Sequence, residues 1–143
     1  MSKTSDSTWT YRTTLPSICG AGEPFLAELL AALRERQWSA KEIFGIHLAV
    51  EEALVNAIRH GNGSNEAKQV YVTSQLDAHR LFLEIADEGE GFDPGRVPDC
   101  TEGQNLQRPN GRGIMLMRKY MSRVEYIEGG HRVIMEKRRE AGG

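Results

Sequence analysis

Cysteine is scarce in this chain. The 143 residues hold two, Cys19 and Cys100, far apart and without a C-x-x-C spacing. That excludes a disulfide-dense scaffold and a cysteine-ligated zinc site, and it points to reduced thiols in a cytoplasmic compartment. Long apolar runs are also lacking. No stretch approaches the roughly eighteen uninterrupted apolar residues of a membrane-spanning helix, and the polar start "MSKTSDSTWT" has no apolar signal core. Neither a membrane nor a secretory route is expected. Charge of one sign is missing as well: 18 Lys and Arg face 20 Asp and Glu, a net charge of -2. A phosphate-tracking nucleic-acid binder would be strongly basic, so no direct nucleic-acid partner is expected. The short run "EKRRE" is mixed in sign and reads as a solvated strand end or tail.

Two nucleotide fingerprints are absent too. There is no G-x-x-x-x-G-K-[ST], which excludes a P-loop. "GEGF" and "GRGIML" both lack the third glycine of a Rossmann turn, and neither lies in a βαβ unit. What remains is a composition of 39% hydrophobic and 27% charged residues, without repeats, enough for one domain spanning residues 1–143.

The pattern along that domain is clear. "TWTYRTTLP" is rich in Thr and aromatics and ends at Pro16, as a first strand would. Phe25, Leu26, Leu29, Leu30 and Leu33 recur at threes and fours and predict a helix over 23–36. Ser39 followed by Glu42 predicts a capping box and a second helix, with Ile43, Ile46, Val50, Leu54 and Ala57 on its apolar stripe and "HGNG" at its end. A hairpin follows, turning at Asp77–Arg80. Residues 94–110 hold Pro, Gly, Asn and Gln without periodicity, a loop of about seventeen residues, and loops of that length in compact domains are usually functional. "GRGIMLMRKYM" opens a third helix, in which Met115, Met117 and Met121 are expected to pack in the core, with contact to a partner as the other reading. Two strands around Gly129–Gly130 close the chain. The order β-α-α-β-β-loop-α-β-β predicts an α+β two-layer sandwich, helices on one face of a mixed or antiparallel sheet.

Several residues on this frame carry chemistry. Glu52, Asn56 and His60 recur at intervals of four on the second helix, beside the apolar stripe. An amide oxygen is a hard neutral ligand suited to Mg²⁺, and a carboxylate one turn away can take a proton from an attacking hydroxyl. Taken alone, both read more readily as solvent-facing helix residues, since charged and polar side chains are mostly exposed. Asp87 ends a strand, where its carboxylate can accept from an exocyclic amine, and Gly89 and Gly91 in "DEGEGFD" let backbone approach a flat ligand. The competing account of that stretch is a glycine-rich turn. Gly111, Arg112 and Gly113 open a helix, whose unpaired first amides suit an anion such as phosphate; a hinge for the loop before them is the other reading.

In this order, "EEALVNAIRHG", "DEGEGFDP" and "GRGIMLM" resemble the ATPase domain shared by histidine kinases, type II topoisomerases and MutL proteins, the GHKL superfamily with the Bergerat fold. Within it they look most like the anti-sigma-factor serine/threonine kinases. The resemblance implies ATP and Mg²⁺ as cofactors. It makes Glu52 the general base and Asn56 the Mg²⁺ ligand, sets Asp87 on the adenine amine with Gly89 and Gly91 along the purine, and gives Gly111–Gly113 to the phosphates beneath a lid at 94–110. It implies a protein serine/threonine kinase that phosphorylates a STAS-type anti-anti-sigma protein and binds a sigma factor, as a homodimer. A non-catalytic, nucleotide-gated interaction module of the same fold is the alternative. Two positions depart from the family pattern: Gly130 is followed by His131 rather than Thr, and Ser122–Arg123 stands where an acidic pair is usual.

Overall fold

The computed structural model describes residues 8–89, 112–127 and 131–140. Strand β1 (Trp9–Pro16) leads to helices α1 (Glu23–Glu35) and α2 (Ala40–Val55), then β2 (Gln69–Leu76), β3 (Arg80–Asp87), helix α3 (Arg112–Tyr120), β4 (Arg123–Ile127) and β5 (Arg132–Arg138). The strands form one sheet in the order β1-β2-β3-β5-β4, and every pairing is antiparallel. Of the two sheet types left open by the sequence, it is the antiparallel one.

Period-two alternation sets the faces. Val70, Val72 and Leu76 of β2, Leu81, Leu83 and Ile85 of β3, and Val133 and Met135 of β5 point to the buried side, where Leu29, Leu33, Ile46 and Val50 of the helices meet them. The opposite side is polar, with Arg80 paired to Glu136 at 2.6 Å and Arg132 to Glu84. Asp87 and His131 occupy the same parity as these inward rows, each at the end of its row. Tyr126 lies opposite Val133 and therefore also faces the helices. The sheet thus delivers three polar side chains to the edge of an apolar layer.

The expected capping box is present. Ser39 Oγ accepts from the Glu42 amide at 3.0 Å, and the Glu42 carboxylate accepts from the Ser39 amide at 3.2 Å. Glu42 also accepts from the Glu140 amide at 2.7 Å, which ties the start of α2 to the end of the sheet. Helix α2 changes at its far end: residues Asn56–Gly61 form a π-helical turn, with the Asn62 amide donating to the Ala57 carbonyl at 3.0 Å.

Two expectations are corrected. Cys19 is disulfide-bonded, not a reduced thiol; spacing in sequence carries no information about which segments a fold brings together. Met115 is 71% exposed, whereas Met117 and Met121 are buried as expected. Helical rotation takes Met115 to the other side of α3 from Met117. No described helix is long and apolar enough to cross a membrane.

Candidate functional site

The end of α2, the end of β3 and the start of α3 converge. Glu52 and Asn56 are buried, at 8% and 1% exposure, which decides against the solvent-facing reading of this row. His60 falls in the π-helical turn and is half-buried. The Asn56 amide nitrogen donates to the Tyr126 hydroxyl at 3.1 Å, while its Oδ1 is buried without a hydrogen-bond partner among the described residues. A buried acceptor left unmatched is uncommon and costs on the order of 1–3 kcal/mol, so the site is built for a donor or a cation to arrive. This is the chemistry that a hard divalent cation would meet.

Helix α3 lies along α2. A Cβ built on Gly113 would stand 2.0 Å from Glu52 Oε2, so the carboxylate lies directly against backbone in the first turn of α3. At the other end of the same contact, a Cβ on Gly45 would stand 2.6 Å from Tyr120. Two glycines, one on each helix, let the pair approach closely along its length. Arg112 opens α3; its side chain, with Gly91, Gly111 and the segment 94–110, lies outside the described residues.

Asp87 closes the site from the sheet. Its side chain is 2% exposed, and its Oδ1 accepts from the Gly89 amide at 3.0 Å and lies 3.3 Å from His131 Nδ1. Burial raises the carboxyl pKa above its ordinary value, and the Gly89 amide and His131 oppose that rise in part. The backbone of Asp87 donates to the His131 carbonyl at 2.9 Å, so strand pairing holds the two together. The Tyr126 hydroxyl senses the charges of Glu52, Asp87 and Arg118; desolvation raises its pKa and keeps it a neutral phenol.

The π-helical turn explains the glycines here. A Cβ on Gly61 would lie 2.1 Å from Asp87 Oδ2, and one on Gly89 would lie 1.4 Å from the Gly61 carbonyl oxygen. Gly89 is therefore required by the crossing of two backbones. Next to it, buried Asn62 donates to Ser17 Oγ at 2.9 Å and the Gln69 carbonyl at 3.0 Å, and accepts from the Glu88 amide at 2.8 Å. One amide thereby binds the end of the helix to the start of β2 and to the residue that follows β3. The structure thus brings Glu52, Asn56, Asp87, Gly89 and Gly113 to one region. Sequence reasoning missed Tyr126, Gly61 and Asn62. "HGNG" was the available signal for the last two, and it reads locally as a helix end.

With this geometry in view, comparison with known proteins is decisive. A family model for the histidine kinase-like ATPase domain matches residues 20–137. The chain belongs to that family. As a histidine kinase-like ATPase domain it has characterised relatives. The serine/threonine-protein kinase BtrW of Bordetella bronchiseptica is 32% identical over 97 residues, covering 66% of this chain and 68% of that protein. The anti-sigma F factor of Shouchella clausii is 36% identical over 90 residues, 61% of each chain, and that of Bacillus mycoides is 37% identical over the same length. This chain thus spans less than two thirds of the anti-sigma F factors. A crystal structure of the RsbU and RsbW domains of a Mycobacterium tuberculosis protein superposes with a TM-score of 0.62 at 16% identity, covering 92% of this chain and 32% of that one. That likeness concerns the fold, an α+β layer of the same kind.

Proposed function

We propose that this chain binds Mg-ATP between α2, β3 and α3 and transfers its γ-phosphoryl group to a serine or threonine hydroxyl of a protein, as a single domain acting in sigma-factor control. The observation that carries the reading is the buried pair on α2: a carboxylate and, one turn on, an amide whose oxygen has no partner among the described residues. Asp87 is the acceptor for the adenine amine, with Gly89 backing it. Gly111, Arg112 and Gly113 are assigned to the phosphates with 94–110 as lid, and Gly91 to the purine. Mg²⁺ held at Asn56 Oδ1 would supply charge neutralisation to the phosphates.

Glu52 then has one task. As the substrate hydroxyl oxygen forms its bond to the γ-phosphorus, Glu52 takes the hydroxyl proton, and the bond to the β-phosphate oxygen breaks to release ADP. The rest of the site positions and stabilises charge. The phosphoacceptor is a STAS-type antagonist and the second partner a sigma factor. The relatives, a serine/threonine kinase and anti-sigma F factors, support this reading. A homodimer in a cytoplasmic setting belongs to the same proposal.

The test is transfer from γ-labelled Mg-ATP to STAS-type proteins of the source cell, with Glu52→Gln alongside. The reading requires a labelled band lost in the variant while ATP binding persists. ATP binding without any labelling by the unaltered chain would establish the non-catalytic module instead.

A further inference from the structure

We propose that Tyr126 is a positioning residue for cation binding: its hydroxyl anchors the Asn56 amide by the nitrogen and so keeps the oxygen available to a cation. The inference rests on the ATP-site reading above and adds a residue to it. An Asn side chain is nearly symmetric in shape but opposite in chemistry at its two ends, an acceptor oxygen and a donor nitrogen. Only the oxygen can ligate a metal ion. Within the site Asn56 is 1% exposed, so water does not select the orientation. The bond of 3.1 Å from Nδ2 to the Tyr126 hydroxyl anchors the amide by its nitrogen, and it leaves Oδ1 as the end without a partner among the described residues.

The placement of Tyr126 suits this task. It sits in β4 opposite Val133, anchored by the sheet rather than by a loop. Its ring packs against the core, and its hydroxyl lies among the charges of Glu52, Asp87 and Arg118. Groups that orient a metal ligand commonly change metal affinity by about 10–100-fold when removed. Without the hydroxyl, the amide can turn and present its NH₂, which repels a cation.

The experiment titrates Mg²⁺ against ATP binding by the full chain, with an EDTA arm, for the unaltered protein, Tyr126→Phe and Val124→Ala. Val124 lies on the same strand and packs partly against the core, so its truncation supplies a destabilised control with Tyr126 intact. The expected result is a rise of about tenfold in the Mg²⁺ concentration at half-saturation for Tyr126→Phe. ATP affinity in EDTA should be unchanged, and Val124→Ala should keep the original midpoint. An unshifted midpoint in Tyr126→Phe, or an equal shift in Val124→Ala, overturns the assignment. An unaltered chain that binds no ATP overturns the site reading itself, and the inference with it.

Discussion

Gly61→Ala should abolish most ATP affinity while leaving the fold intact. A Cβ at this position would lie 2.1 Å from Asp87 Oδ2 and 2.4 Å from its Cγ, closer than any real contact, so the carboxylate must leave its place. It cannot shift slightly, because the Gly89 amide and His131 hold its other oxygen. A hydrogen bond to a charged group is worth about 1.5–3 kcal/mol, so losing the one proposed between Asp87 and the adenine amine should weaken ATP binding by roughly 10- to 150-fold. The backbone of Gly61 is helical, where alanine is favoured over glycine by about 0.5–1 kcal/mol, so the apo protein should not unfold. Calorimetric ATP titration of Gly61→Ala, Asp87→Ala and the double variant completes the cycle. Asp87→Ala removes the three atoms nearest to that methyl group, and the double variant should bind no worse than Asp87→Ala alone. Wild-type affinity in Gly61→Ala would refute the placement of Asp87, and additive losses would show that Gly61 acts on something else.

The same structure sets expectations elsewhere. Ser39→Ala removes the acceptor for the Glu42 amide and should lower stability by about 1 kcal/mol, read as a shift in urea midpoint at constant slope. An unchanged midpoint would mean that the capping box carries no net energy. Asp87 has a folded pKa above its unfolded 3.8, so its charge opposes folding. That penalty is absent below the unfolded value and grows as pH rises through the folded one. Asp87→Asn should therefore be more stable than the original chain at neutral pH, with the difference fading as pH falls towards 3.8, in denaturant titrations over a pH series. A less stable Asp87→Asn at neutral pH would contradict the sign.

Local signals were legible in the sequence. Ser39 and Glu42 lie three residues apart and need no tertiary information to be recognised as a cap. The alternation of Leu81, Leu83 and Ile85 carries on to Asp87, so an acid at the inner end of a strand could be read directly. Glu52 and Asn56 could be placed on one helical face, but whether that face was wet or dry depended on where α3 lies, which one helix cannot disclose. Tyr126 and His131 were beyond reach for a related reason. Their roles come from strand pairing across the sheet, so they meet Asn56 and Asp87 across 70 and 44 residues of sequence. Three methionines two to four positions apart did not reveal that Met115 faces outward. The π-helical turn was invisible because a change in hydrogen-bond step over six residues leaves no mark on a hydrophobic stripe.

That turn makes the helix a gauge. Asn56, at its start, faces the metal and phosphate end of the proposed ligand; Gly61, at its close, lies beneath the carboxylate assigned to the purine. A single stretch of backbone thus runs between the groups assigned to the two ends of the proposed nucleotide, and its length is set by the wider hydrogen-bond step rather than by any side chain. Asn62 then locks the far mark of the gauge to the start of β2 and to the residue that follows β3. Inserting or deleting one residue between the marks would preserve a helix and every named group, yet leave the two ends measuring a different molecule.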